Sequence, residues 1–148
     1  MGALPAAVAA LVAMEPVTAL LHRWLFHGPG WGLHRSHHVL RREGFEANDA
    51  YPVVLAALTI AAMAWGRRGG SLAVLLPVGA GVTAYGLTYL MVHDLYIHRR
   101  LPLLPPRLAL LEPLRRAHAV HHLHGGAPYG MLCPVVPARL RSRAAPAG

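Results

Sequence analysis

Three long apolar runs alternate with polar stretches along the chain. The first run, residues 2–21, carries one charge, Glu15, and is long enough to cross a bilayer as a helix. The second covers 51–66 and the third 71–92, and the polar turn Arg-Arg-Gly-Gly at 67–70 separates them. The pattern predicts an all-α, multi-pass membrane protein, in which the second and third runs form a hairpin that crosses the membrane twice.

The rest of the chain is too polar or too rich in proline for a further crossing. Residues 101–117 contain four prolines and four charges, so we predict an interfacial segment there. This segment is expected to lead into a helix with Leu111, Leu114 and His118 on one side. The tail, 134–148, is rich in arginine, alanine and proline and is expected to be flexible.

The composition fits a single membrane-embedded domain over 1–148. Hydrophobic residues make up 55% of the chain and charged residues 14%, which is too apolar for an ordinary soluble domain. The single cysteine, Cys133, excludes an internal disulfide and a thiolate metal site. A signal peptide is the alternative interpretation of the first run, but no basic residue precedes it and no cleavage-like site precedes His22.

Arginine alone carries the positive charge, and it lies beside the apolar runs. The chain has 14 arginines and no lysine, and its net charge is +8. Arginines that flank membrane-length runs fit anionic lipid better than nucleic acid. Four of them lie in 23–42 and eight in 99–143, on either side of the hairpin. The positive-inside rule therefore predicts that these two regions face the cytoplasm from the inner membrane.

Ten of the eleven histidines form two matched sets in these polar regions. Each set reads H-x4-H followed by H-x2-H-H: His22, His27, His34, His37 and His38, then His93, His98, His118, His121 and His122. Because the hairpin returns the chain to the face it left, both sets are predicted to lie on one side of the membrane. Imidazole suits iron, zinc, copper and nickel. Ten ligands shared by two metals would give each five, with one position open on a six-coordinate metal.

The spacing within each set restricts the geometry. In a helix of 100° per residue, the three histidines of each H-x2-H-H motif project from one face. The H-x4-H pairs differ, because five residues turn about 140° beyond a full turn. His22 and His27 therefore need either a distorted helix end or two different metals. The eleventh histidine, His124, lies about 200° from His122, just before two glycines, and is predicted not to bind metal.

Three carboxylates are candidates to orient the imidazoles from outside: Glu15, Asp49 and Asp94. Glu15 lies seven residues before His22, on the same helix face, and is expected to accept a hydrogen bond from a ring N–H, directly or through a water, with a ring from another of the four histidine motifs as partner. The alternative is that Glu15 caps a helix break or faces the outer interface. Asp49 is alternatively a cap of the next helix, and Asp94 a solvated charge. Beyond the metal ligands, no catalytic residue is predicted.

Four stretches of the chain resemble a known family: HRWLFHGPGWGLHRSHH, GFEANDAYPVV, GAGVTAYGLTYLMVHDLYIHRRLP and AHAVHHLHG. They are similar to the histidine boxes of the membrane fatty-acid hydroxylase superfamily, and more closely to its bacterial β-carotene hydroxylases. The resemblance covers most of 15–125. It weakens after Gly126, where the family has an aromatic stretch and this chain reads PYGMLCP.

The resemblance implies a function and a set of cofactors. It implies two non-haem irons that activate O2, with reduced ferredoxin as the electron donor. It further implies hydroxylation of β-carotene, taken from the bilayer, at the 3-carbon of each β-ionone ring, giving zeaxanthin through cryptoxanthin. A carotenoid ketolase, a desaturase or a lipid hydroxylase with the same iron chemistry is the alternative. A membrane protein that binds or transports metal is the alternative from another class.

Small residues on the third apolar run have two interpretations: Gly79, Ala80, Gly81, Ala84 and Gly86. They could form a groove for a rod-shaped apolar substrate. They could equally allow close contact between helices.

Overall fold

The computed structural model describes residues 2–39 and 44–144, and all regular secondary structure in them is helical. The α-helices are α1 Ala3–Leu21, α2 Trp31–Val39, α3 Ala50–Gly66, α4 Leu75–Tyr89, α5 Glu112–His124 and α6 Arg141–Ala144. Short 3-10 turns precede α3, α4 and α6. The predicted all-α class is confirmed. Two of the arginines used for the orientation, Arg41 and Arg42, lie outside the described residues.

Three helical segments are long and apolar enough to cross a membrane, judged by length and composition: Ala3–Phe26, Ala47–Gly66 and Gly70–Ile97. They overlap the three predicted runs. The first and third extend beyond the predicted ends at residues 21 and 92, and the second begins before residue 51. Among the described residues there is no further helix of this length and composition, and the prediction that 101–117 is an interfacial segment stays a prediction.

Helix α4 packs against both α1 and α3, and two glycines permit this close approach. A Cβ atom on Gly81 would lie 2.2 Å from the carbonyl oxygen of Ala7 on α1. A Cβ atom on Gly79 would lie 2.2 Å from Cγ of Met63 on α3. At these two positions, close helix contact is therefore the correct interpretation of the small residues. A Cβ atom on Gly86 would meet nothing within 4 Å, so no helix contact requires a glycine there.

Both membrane-length helices that lead into histidines end in π-helix. The π segments are His22–Phe26 after α1 and Leu90–Ile97 after α4. In each, a backbone hydrogen bond joins residues five apart: His27 N–H donates to His22 O at 3.0 Å, and His98 N–H to His93 O at 2.9 Å. A wider turn places residues five apart above one another. The distorted helix end, one of the two expected solutions for H-x4-H, is what the structure has in both places.

A buried tyrosine joins α5 to the second π segment across an irregular stretch. The Tyr96 hydroxyl accepts a hydrogen bond from Leu108 N–H at 3.0 Å and also contacts Glu112, the first residue of α5. The predicted helix after the interfacial segment therefore begins at Glu112, with Leu111 as its N-cap. In the tail, α6 packs on α5, whereas 145–148 lie outside the described residues.

Candidate metal centre

The ten predicted histidines meet at one end of the helices as two groups of five. The first group is His22, His27, His34, His38 and His121, and one ring nitrogen from each lies within 4.8 Å of those of the others. The second group is His37, His93, His98 and His118, which meet the same limit, together with His122, whose Nε2 is 3.1 Å from His37 Nε2. Six contacts between Nε2 atoms, at 2.9–3.2 Å, join the ten rings. Every one of these contacts lies within a group and none between groups.

Each H-x2-H-H motif is divided between the two groups. On α2, His34 and His38 belong to the first group and His37 to the second. On α5, His118 and His122 belong to the second group and His121 to the first. The i and i+4 side chains thus stay together, whereas the i+3 side chain reaches the other group. Because each half of the chain lends one histidine to the other, neither group is complete without both halves.

Burial keeps the imidazoles neutral. Desolvation, with added repulsion from neighbouring rings, lowers the pKa of His38 to about 4, of His98 to about 3 and of His122 to about 2. Desolvation also lowers the pKa values of His37 and His118. Metals bind the neutral imidazole, so these rings are in the protonation state that ligation requires at neutral pH.

The outer nitrogens of the first group are fixed by neutral oxygen acceptors. Nδ1–H of His22 donates to the carbonyl oxygen of Tyr129 at 3.0 Å, and Nδ1–H of His34 donates to Asn48 Oδ1 at 2.7 Å. Nδ1–H of His121 donates to the carbonyl oxygen of Gly126 at 2.6 Å. A neutral ring that donates from Nδ1 has a lone pair at Nε2. All three rings therefore direct lone pairs into the group.

These lone pairs fit a metal ion. His22 Nε2 and His34 Nε2 lie 3.0 Å apart, and neither has a proton to share with the other. Two facing lone pairs repel, and a cation between the nitrogens removes the repulsion. Imidazole donors of this kind suit divalent transition metals. The histidine groups therefore suit a metal site, and the chemistry of the donors fits iron.

Carboxylates stand behind the second group instead of neutral acceptors. Glu46 Oε2 lies 3.4 Å from His37 Nδ1, and Asp94 Oδ1 lies 3.4 Å from His93 Nδ1. Glu46 Oε2 and His93 Nδ1 are buried atoms without a hydrogen bond among the described residues. Both pairs are thus close enough for electrostatic attraction and slightly too long for a hydrogen bond. Asp94 lies beside His93, as expected from the sequence, and is not a solvated charge.

Arg100 connects the acidic residues around the second group. Its guanidinium donates to both oxygens of Asp49, at 2.7 and 2.6 Å, and to Asp94 Oδ1 at 3.2 Å. Asp49 in turn accepts a hydrogen bond from Glu46 N–H at 2.9 Å. The expected cap of α3 is different in detail, because Asp49 forms a capping box with Glu46 around the preceding 3-10 turn and makes no side-chain bond that caps α3 itself. Asp49 therefore supports the site through Glu46 and Arg100.

Glu15 holds the C-terminal loop and contacts no imidazole directly. Its Oε1 accepts from Cys133 N–H at 2.8 Å, and its Oε2 accepts from the Tyr85 hydroxyl at 2.7 Å. Leu132 N–H donates to the same carboxylate at 3.1 Å. The direct hydrogen bond to a ring that the sequence suggested is therefore replaced by bonds to the backbone of this loop. The carboxylate instead orders the loop that carries the carbonyl acceptors of His22 and His121.

Five contributors to the site were not predicted: Glu46, Asn48, Arg100, and the carbonyl groups of Gly126 and Tyr129. Glu46 and Asn48 lie in the same FEANDAY stretch as Asp49, so their proximity to one predicted residue was the available signal. A backbone carbonyl leaves no signal in residue type. His124, the histidine predicted not to bind, is exposed, ends α5 and belongs to neither group.

Comparisons with known proteins identify the family of the chain. The fatty acid hydroxylase family matches residues 7–137. A β-carotene hydroxylase of Pantoea ananas is 47% identical over 113 residues, covering 76% of this chain and 63% of that protein. One of Pseudescherichia vulneris is 39% identical over 140 residues, covering 91% and 78%. The chloroplastic β-carotene 3-hydroxylase 1 of Arabidopsis thaliana is 35% identical over 137 residues, covering 88% and 44%. No solved structure matches.

The chain belongs to the fatty acid hydroxylase family. Within that family its similarity is to the bacterial β-carotene hydroxylases, so the resemblance found in the sequence is confirmed, as is the expectation that the chain is an enzyme. The chain spans between about three fifths and four fifths of the lengths of these bacterial relatives.

Proposed function

We propose that the chain is an O2-dependent, non-haem di-iron hydroxylase of β-carotene. It hydroxylates the 3 and 3′ carbons of the β-ionone rings, giving zeaxanthin through cryptoxanthin. The observation that carries the proposal is the convergence of ten imidazoles into two groups of five, in which three rings of the first group direct their lone pairs inward. The substrate class comes from the named activity of the relatives.

In this proposal, each histidine group holds one iron. The irons supply the activation of O2 needed to insert oxygen into an unactivated C–H bond. The protein's own contribution is to bring the ten rings together and to orient them. Carbonyl and amide oxygens fix the rings of the first group, and carboxylates stand behind those of the second. The supporting loop at 125–133 closes over the first group.

The proposed setting is the inner membrane, with both groups on the cytoplasmic side. Three membrane-capable helices and the position of both groups at one end of them support this setting. The substrate would enter from the bilayer, and reduced ferredoxin or a similar protein would deliver electrons from the cytoplasmic side. A reporter fused after Arg143 should read cytoplasmic. A periplasmic signal would contradict the orientation without affecting the metal site.

Expression in a bacterial host that accumulates β-carotene tests the activity. Pigment analysis should reveal cryptoxanthin followed by zeaxanthin, and the His122→Ala variant should leave β-carotene unchanged. Keto-carotenoids would indicate a ketolase, and new double bonds a desaturase. Unchanged β-carotene from wild-type protein that is inserted and loaded with iron would contradict the proposed substrate.

A further inference from the structure

The two histidine groups have the same number of rings and different electrostatic surroundings. The outer nitrogens of His22, His34 and His121 face two backbone carbonyls and one side-chain amide, which are all uncharged. Those of His37 and His93 face carboxylates at 3.4 Å. A carboxylate behind a ligating imidazole makes the ring a stronger donor and attracts the cation directly.

The acidic residues around the second group are not neutralised by the arginine among them. Glu46, Asp49 and Asp94 contribute three carboxylates, and Arg100 contributes one guanidinium. On the side of the first group, the carboxylate of Glu15 is instead engaged by the amides of Leu132 and Cys133 and by a tyrosine hydroxyl. The negative charge closest to the rings therefore lies beside the second group.

We propose that the two metal sites are unequal, and that the second group fills first and holds its metal more tightly. Glu46 and Asp94 are the positioning residues responsible, acting through His37 and His93. The inference rests on the proposed di-iron function, since it requires both groups to bind metal. It goes beyond that function in assigning an order of filling and the residues that set it.

The test is a metal titration of the full-length, detergent-solubilised protein after removal of metal. Anaerobic addition of 57Fe(II), followed by Mössbauer spectroscopy, should give one quadrupole doublet up to one equivalent and a second doublet only beyond it. Two doublets that grow together in the wild-type protein would overturn the inference and leave the di-iron site intact. Absence of iron binding would overturn the proposed function itself.

Charge variants assign the first doublet to a group. Glu46→Gln and Asp94→Asn should each weaken the first-filled site by roughly ten- to hundredfold, a typical effect of losing an outer partner of a ligand. Asn48→Asp places a carboxylate behind His34 and should tighten the first group, so that the two doublets grow together. An unchanged order of filling in all three variants would contradict the proposal.

A control separates this effect from a general loss of charge or of fold. Glu112→Gln removes a carboxylate whose contacts are Arg115 and Tyr96, and it should leave the order of filling unchanged. Circular dichroism should give wild-type helix content for each variant used. An equal loss of affinity in Glu112→Gln would contradict a specific role for Glu46 and Asp94.

Discussion

The first and second histidine groups contain the same number of imidazoles at the same spacing, but different elements hold them in place. The first is closed by a loop, through the carbonyls of Gly126 and Tyr129, which Glu15 ties to α1. The second is surrounded by Glu46, Asp94 and the arginine that joins the acidic residues. Spacing along a helix determines which rings of one motif stay together, and the packing of α2 and α5 determines which group each ring joins. Carbonyl groups and side chains beside the rings determine how each ring is oriented and what charge it faces.

The largest expected effect comes from removing a histidine that one half of the chain contributes to the other half's group. His121 lies in the second half of the chain and belongs to the first group, whereas His37 lies in the first half and belongs to the second. We expect His121→Ala and His37→Ala each to abolish activity and to leave about one iron per chain, because one of five ligands is lost from a single group. Mössbauer spectra should lose a different doublet in each variant. Loss of the same doublet in both would contradict this exchange of histidines between the halves.

His124→Ala is the matched control for these variants. His124 ends α5 only three residues after His121, but it belongs to neither group. We expect it to keep two irons and wild-type turnover. Equal losses in His124→Ala and His122→Ala would contradict the set of ten ligands.

The carboxylate that anchors the loop should affect mainly the first group. Glu15→Gln retains the size of the side chain but replaces one acceptor oxygen with an amide donor, which then faces backbone N–H groups or the Tyr85 hydroxyl. We expect a loss of roughly ten- to hundredfold in iron affinity or activity. Hydrogen exchange should also be faster at 125–133. Wild-type exchange at 125–133 together with wild-type iron content would contradict the role of Glu15 as the anchor of this loop.

Arg100→Gln is the corresponding change beside the second group. It leaves Asp49 and Asp94 without their shared cation, at partly buried positions. We expect a loss of roughly tenfold in iron affinity or activity, because Asp94, and Glu46 through Asp49, are no longer held beside their histidines, and this loss of position outweighs the added negative charge. Exchange at the C-terminal loop should stay at the wild-type rate. Faster hydrogen exchange at 125–133 in Arg100→Gln would show that the loop beside the first group and the acidic residues beside the second group do not act independently.

The smallest expected effect comes from a methyl group at the loop anchor. A Cβ atom on Gly130 would lie 2.7 Å from Glu15 Oε1, so Gly130→Ala should displace the carboxylate slightly. Overpacking of this kind costs about 1–3 kcal/mol. We expect a several-fold loss of activity. Gly126→Ala is not a suitable control, because the Gly126 carbonyl accepts the hydrogen bond from His121. Gly86→Ala, where the added atom meets nothing within 4 Å, should be neutral and is the matched control.

The sequence predicted which histidines lie together better than how they are arranged. The apolar runs and the histidine spacing identified three helices and the ten rings that meet. The spacing did not predict that His37 and His121 would cross to the other group, because that depends on how α2 and α5 lie relative to each other. The sequence left a distorted helix end as one of two explanations for the H-x4-H spacing, because residue types do not reveal the pitch at the end of a helix. The loop carbonyls at Gly126 and Tyr129 were not predictable, because every residue has one.

The iron content of the purified wild-type protein tests the central claim most directly. The protein should be prepared without chelators and measured by elemental analysis against protein concentration, with His124→Ala in parallel. The account predicts about two irons per chain in both, one for each group of five imidazoles. One iron per chain, or none, would contradict it.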